Sequence, residues 1–381
     1  MFYQTHMRVS LDNVRRNIEA VRSMIGPAPK LLLAVKGNAY GLGSVGIATM
    51  AERHDLVDWF GVATVPEGME LRQAGIRLPV LKFSPAFPEE METAFDHGIT
   101  LAVCEPSNIK ALQMLCAAKG ARARVHLKVE TGLGRFGVAP PEAPELAVFI
   151  EKDCPNLHLD GVFTQMAVSG VPQGDAYTEA QFALFQETTR RITAALGRMP
   201  ELVHCANSGV VLRHGRETNL SMVRIGQAAV GLYRQLVPGP NAPVFYPGLV
   251  SFQTRVSFQK IVRKGTPIGY GLVWEAQEDT WIVTLPVGWA DGFSRRLSNA
   301  GRVLVHGKSY PMVGNMGMDQ CMINLGPDTE VQVGDEVILI GRSGDQEITP
   351  EELAKVLDTT PNEVIGRIGP RVKREYDLQG T

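Results

Sequence analysis

The chain has 381 residues, 44% of them hydrophobic and 20% charged, with 38 Lys and Arg against 40 Asp and Glu for a net charge of −2. That balance belongs to a globular protein long enough for two or three domains, and it excludes binding to nucleic acid or an anionic membrane through bulk charge. No apolar run reaches the roughly 18 to 20 residues of a membrane span, and the N-terminal MFYQTHMRVS lacks the basic, apolar and small-residue order of a secretion signal, so a cytoplasmic location is expected.

The first predicted element is a helix. Ser10 stands where an N-cap would, and Leu11, Val14, Ile18, Val21 and Ile25 recur every three or four residues, which gives one buried stripe. Predicted strands follow at Leu31–Val35, Phe60–Ala63, Val80–Phe83, Ile99–Val103, Ala123–Lys128, Leu159–Phe163 and Leu202–Cys205, with helical segments such as Asn108–Ala118 and Ala180–Leu196 between them. This is the α/β pattern of parallel strands with crossover helices. An open doubly wound sheet would show the same alternation; similar spacing continuing to about residue 235 favours a (β/α)8 TIM-like barrel.

The run LVPGPNAPVFYPG places a boundary at Pro238-Gly239-Pro240, with a barrel over 1–237 and a second domain over 238–381. Beyond it, Val250–Ile261, Thr280–Pro286, Gly301–Val305, Tyr310–Val313, Cys321–Leu325 and Glu336–Ile340 are β-type runs with Gly-rich turns, which predicts a mostly-β domain. Short helices are expected over Thr349–Leu357 and Pro361–Ile368, the first opening on a Thr-Pro-Glu-Glu cap.

Cys104, Cys116, Cys154, Cys205 and Cys321 are far apart and form no CxxC pair, so neither a disulfide framework nor a zinc knuckle is suggested, and the eight histidines show no HxxxH or HExxH spacing. No metal is expected. Two stretches match GxGxxG, at Gly41–Gly46 and Gly132–Gly137, but in a dinucleotide fold the first glycine turns the chain directly out of a strand, and here Lys36-Gly37-Asn38-Ala39-Tyr40 intervenes. Hydride chemistry is therefore disfavoured. The strand ends are more informative, because in a barrel they face the active site. Lys36 ends LLLAV, Lys128 closes RVHLK with Arg135 in the loop beyond, Gln165 follows GVFT, and Asn207 and Ser208 follow LVHCA. A lysine at such a mouth, backed by apolar residues, is either solvated or desolvated and nucleophilic.

AVKGNAYGLG at 34–43 resembles the pyridoxal-phosphate lysine motif of alanine racemases. The resemblance continues through HLKVETGLGRFG, HCANSG, MVRIGQAAVGLY, IGYGLVWEA, LPVGWADGFSRRLSN, VGNMGMDQ and RVKREY, eight ordered blocks over about 340 residues. It implies a barrel that carries the cofactor and a C-terminal β domain. It also implies that Lys36 bonds to pyridoxal phosphate and serves as one base, with Tyr270 the base on the opposite face, since inversion at Cα needs a proton removed from one side and delivered to the other. Arg224 then faces the pyridine nitrogen; Arg135 lies near the cofactor's 3′-oxygen and the substrate carboxylate and so counts at both sites; Lys128 steadies Arg135, in many relatives as a carbamate. Tyr40, Ser208 and the backbone at Ile225-Gly226 match the phosphate cradle, with Gln165, Asn207 and Trp289 counted at the cofactor site and Met318 and Asp319 near the substrate. Three departures stand out: Gln165 replaces a histidine, Trp289 replaces a tyrosine, and Gly317 replaces a cysteine.

The expected activity is interconversion of L- and D-alanine by a homodimer with active sites shared between subunits. The alternatives are a racemase of broader specificity, for serine or a larger amino acid, and a pyridoxal-phosphate protein without turnover.

Overall fold

The structure, a computed structural model, describes residues 4–232 and 243–377. The expected boundary at Pro238 lies outside the described residues. Two compact units are present: one of residues 13–39 and 43–246, the other of residues 1–12, 40–42 and 247–381.

The first unit is built on β2 (Lys30–Ala34), β3 (Trp59–Val62), β4 (Val80–Lys82), β5 (Ile99–Val103), β6 (Ala123–Lys128), β7 (Leu157–Phe163), β8 (Leu202–His204) and β9 (Met222–Ile225). The strands pair in parallel from β8 back through β2 and on to β9. Across the remaining seam, Ser221 N donates to Val203 O at 3.2 Å and Arg224 N to Ala206 O at 2.8 Å, so the sheet closes into a barrel and the open-sheet alternative falls. The eighth strand was not among the expected apolar runs; it is short and carries a buried arginine in its middle. Leu32, Ala34, Trp59, Leu81, Leu202 and Met222 form an apolar cluster with Phe83 against it. Helix α1 (Leu11–Ile25) buries the predicted Val14, Ile18, Val21 and Ile25, and adds Asn17, whose amide donates to Ala229 O at 3.0 Å and Tyr246 O at 2.7 Å.

The second unit contains β1 (His6–Ser10), a strand absent from the sequence reading, which had assigned everything from residue 1 to the barrel. It pairs antiparallel with β10 (Leu249–Arg255) and parallel with β20 (Lys373–Asp377), contacts about 240 and 370 residues away that no local pattern encodes. The expected run Val250–Ile261 divides at Val256-Ser257, because β10 pairs with Glu336–Ser343 while β11 (Phe258–Val262) pairs with Thr280–Leu285. A small hairpin of Pro267–Ile268 and Trp274–Glu275 projects from this sheet. The helix Pro350–Leu357 begins as expected, with the Thr349 hydroxyl accepting from Glu352 N at 3.1 Å. Among the described residues no helix is long and apolar enough to cross a membrane.

Candidate active site

Lys36 stands one residue beyond β2, after Val35, and opens a left-handed turn. Gly37, Asn38, Ala39 and Tyr40 have φ of 61°, 54°, 51° and 58°. Glycine tolerates this and asparagine partly so, but for Ala39 and Tyr40 it costs about 1–2 kcal/mol each. The surroundings hold the turn: Glu67 accepts from Gly37 N at 2.7 Å, Asn38 Oδ1 accepts from Ser44 N at 2.8 Å, and Gly43 N donates to Asn38 O at 2.8 Å. Glu67 also closes a capping box with Thr64. Strain concentrated beside one lysine makes it a candidate functional position.

Three cationic side chains gather at this end of the barrel. Burial, and then the Arg135 and Arg224 guanidiniums, hold the Lys36 amine below the usual lysine range, with Glu67 opposing. Lys36 Nζ lies 5.9 Å from the Phe83 ring centre. An amine so placed is a better nucleophile and base at neutral pH than a solvated lysine, which favours the second of the two sequence readings. Arg224 is buried. Its guanidinium donates to His204 Nδ1 at 2.9 Å, Thr164 O at 2.8 Å and Gln165 Oε1 at 3.0 Å, and burial brings its pKa down to about 10. Arg135 is exposed in a loop shaped by Glu130, a residue the sequence reading passed over, whose carboxylate accepts from Gly132 N and Leu133 N at 2.6 Å and from Arg135 N at 3.2 Å.

Lys128 is buried between the Phe136 and Phe163 rings, donating to Val129 O at 3.0 Å and Phe136 O at 3.3 Å. Burial pulls its pKa down to about 8 from an ordinary value of 10.5. Between these values the unfolded chain binds more protons than the folded one, so stability present above pH 10.5 is lost as the pH falls through 8. Lys128→Met therefore stabilises the apoprotein in carbonate-free buffer most near neutral pH, by on the order of 3 kcal/mol of unfolding free energy, with a higher Tm there, and the gain fades towards pH 10. Thermal melts across that range check it; a gain independent of pH contradicts it.

A second cluster lies in the same unit. Ser208 Oγ, buried at the start of the helix Ser208–Arg213, accepts from Gly226 N at 3.2 Å and Ala228 N at 3.3 Å. Asn207 caps that helix, accepting from Val210 N at 3.1 Å and from Ser169 Oγ at 2.7 Å. Two amides just beyond β9 thus hold the Ser208 oxygen, which leaves the hydroxyl hydrogen as the donor an anion could use; Asn207 fixes the start of the helix that carries it.

The other expected residues belong to the second unit. Tyr40 is there, its hydroxyl pushed up to about 12 by burial, and the adjoining loop is clamped by Arg374 Nε on Gly41 O at 3.0 Å and Tyr376 Oη on Leu42 O at 3.3 Å. Gly41 has a φ of 92°, and a Cβ on it would stand 2.5 Å from Ile365 O, so both conformation and space require glycine. Tyr270 is 76% exposed at the hairpin tip, beside exposed Leu272 and Val273, with its carbonyl accepting from Asn315 Nδ2 at 2.8 Å. Trp289 and Met318 are also exposed, and Trp289 N donates to Gly317 O at 3.2 Å. Asp319 pairs with Arg371 at 2.9 Å; the same guanidinium donates to the buried Asp291 at 2.7 and 3.0 Å, and Asp291 accepts from Gly288 N at 2.8 Å. Arg371 and Asp291 thus fix the loop that carries Trp289, a role not assigned from the sequence although both stand in blocks that carry the resemblance.

Residues 9–234 match the N-terminal domain of alanine racemase and residues 249–376 its C-terminal domain. The chain belongs to the alanine racemase family. Alanine racemase of Cutibacterium acnes is 41% identical over 374 residues, covering 98% of this chain and 97% of the relative, and that of Symbiobacterium thermophilum is 40% identical over 372 residues, covering 98% and 97%. Among solved structures, alanine racemase of Clostridium difficile aligns with a TM-score of 0.93 at 30% identity over 100% of this chain and 97% of that one. A histidine racemase of Leuconostoc mesenteroides aligns at 0.88 and 27% identity, over 99% and 98%. Family membership and architecture therefore stand as the sequence motifs implied.

Proposed function

We propose that the protein is a pyridoxal-phosphate-dependent racemase that interconverts L- and D-alanine, with Lys36 and Tyr270 as its two bases. The observation that carries this is Lys36 itself: a strand-end lysine, held by a strained turn, with its amine kept below the usual range by burial and two guanidiniums.

The residues present fit the cofactor chemically. Pyridoxal phosphate offers an aldehyde, a dianionic phosphate and a pyridine nitrogen. Lys36 supplies the amine, the Ser208 hydroxyl, held by the Gly226 and Ala228 amides, supplies an anion donor, and Arg224 supplies a donor that cannot accept. When bound, the cofactor withdraws electrons from the substrate Cα and acidifies its hydrogen. Arg224 would hold the ring nitrogen with a donor that does not surrender its proton, which would keep the electron sink weak and favour prompt return of a proton to Cα over competing reactions. Arg135 holds the substrate carboxylate, and Lys128 steadies it; the pKa near 8 leaves part of Lys128 as the free amine that carbamate formation requires. Lys36 Nζ takes or gives the proton at one face of Cα and Tyr270 Oη at the other.

Tyr270 is read as acting in the partner's barrel of a homodimer. Its support is the hairpin tip, where Tyr270, Leu272 and Val273 are all exposed apolar surface. The working compartment is read as the cytoplasm. The test of the activity is exchange: loaded protein in D2O replaces the Cα hydrogen of alanine and equalises its enantiomers, whereas binding of the cofactor without exchange contradicts an enzyme.

A broader specificity rests on Gly317. A Cβ there would lie 3.7 Å from Tyr270 Cε2 and 3.2 Å from Gln320 O, so a side chain at this position would stand beside the tyrosine ring. Its absence leaves room for a larger substrate. The preference in kcat/KM for alanine over serine or a four-carbon amino acid is therefore below about a hundredfold and rises in Gly317→Cys. A larger preference that the substitution leaves unchanged refutes the idea.

A further inference from the structure

A chain of buried polar side chains runs inward from Arg224 across four consecutive strands. Arg224 of β9 donates to His204 Nδ1 at 2.9 Å; His204 Nε2 of β8 lies 3.0 Å from His126 Nδ1 of β6; His126 Nε2 lies 3.6 Å from Asp160 Oδ2 of β7. Asp160 Oδ1 accepts in turn from Arg124 at 3.1 Å. His126, His204 and Asp160 are fully buried. Aromatic rings enclose the chain: Phe163 stacks on His204 at 4.9 Å between centroids, and Trp59 lies 5.4 Å from His126. The fold makes room for it at Gly161, where a Cβ would stand 2.7 Å from the His126 ring.

The direction of every hydrogen bond in the chain follows from one end. A guanidinium can only donate, so His204 Nδ1 must be the acceptor. A neutral His204 then carries its proton on Nε2 and donates it to His126 Nδ1, which leaves the His126 proton on Nε2, facing Asp160 Oδ2 across 3.6 Å, an electrostatic contact longer than a hydrogen bond between two buried atoms that have no hydrogen-bond partner. Burial holds both imidazoles below the usual histidine range, in agreement with neutral rings. Both ring dipoles therefore turn their lone pairs towards the arginine and their N–H groups towards the carboxylate. Among the described residues no carboxylate pairs directly with Arg224. An isolated buried cation is costly, and a polarised chain of this kind is one way to relieve it.

We propose that Asp160 is the remote counterion of Arg224, coupled to it through His126 and His204, and that these three positioning residues fix the direction in which the guanidinium is presented to the cofactor nitrogen. The last clause rests on the role proposed above for Arg224; the chain itself does not.

Two measurements keep those apart. In wild-type protein labelled with 15N-histidine, with and without cofactor, NMR assigned through His126→Gln and His204→Gln finds both rings neutral at pH 7.5 with the proton on Nε2. A proton on His204 Nδ1, or an imidazolium at either ring, overturns the chain whatever the enzyme does. In the loaded enzyme, Asp160→Asn keeps shape and removes charge, and it lowers kcat by roughly 3- to 30-fold with KM for alanine nearly unchanged, while Asp160→Glu restores most of the loss. Wild-type kcat in a folded Asp160→Asn protein, or equal losses in the Asn and Glu variants, overturns the counterion role. A wild type that does not racemise, with Nε2–H found on both rings, overturns the reading of the enzyme and the presentation of Arg224 to the cofactor, and leaves the chain standing.

Discussion

Lys36→Ala is expected to abolish both the visible absorbance of the cofactor-loaded protein and its racemase activity, by about 10⁴-fold or more, because in the proposed mechanism one substitution removes the amine that bonds to the cofactor and the base on one face of Cα. The loss is local. Gly37 keeps its bond to Glu67, and Lys36 makes no ion pair among the described residues whose removal would unfold the barrel. The Tm of the apoprotein is accordingly little changed. Borohydride reduction followed by peptide mapping identifies the attachment directly, and cofactor recovered on Lys82, Lys128 or any other lysine refutes the assignment. Lys82 is an instructive control: it is also buried at a strand end, but its amine is held by Ser84 O at 3.2 Å, Ser84 Oγ at 3.1 Å and Pro85 O at 2.8 Å, which is a structural lysine's environment.

Tyr270→Phe has the second largest effect and a different character. The ring is retained, the Asn315 contact is to the Tyr270 carbonyl and survives, and Lys36 is untouched, so cofactor absorbance persists. Racemisation falls by about 10²- to 10⁴-fold in both directions at an unchanged equilibrium constant. Through Lys36 the variant still exchanges the Cα hydrogen of one enantiomer, expected to be D-alanine, and fails with the other. Racemisation within about threefold of wild type shows that Tyr270 is not the second base.

The strands that end at the candidate site were legible because their apolar runs stop at a polar residue, as at Lys36, Lys128 and Gln165. Strand β9 was not, because Arg224 interrupts a run of only four residues with a charge, and such a residue is buried only where partners from other strands receive it. The left-handed turn after Lys36 escaped for a related reason: Ala39 and Tyr40 have no local preference for positive φ, and it is Glu67, 30 residues on, that holds the turn. The Thr64-Val65-Pro66-Glu67 capping box was a visible signal that could have directed attention there. His126 and His204 stood inside motifs that carried the family resemblance, yet their linkage spans 78 residues and exists only once the barrel closes. The β1 pairing to β10 and β20 is non-local in the same sense.

The central claim is that two bases act on opposite faces of Cα, and the first turnovers of wild-type enzyme on L-alanine in D2O test it most directly. Product and remaining substrate are separated by chirality and weighed for deuterium at Cα. With Lys36 and Tyr270 on opposite faces, the D-alanine formed carries solvent deuterium from the first turnover while the recovered L-alanine stays almost unlabelled. D-alanine that retains the substrate's own hydrogen, or enantiomers labelled equally from the outset, would mean that one base serves both faces.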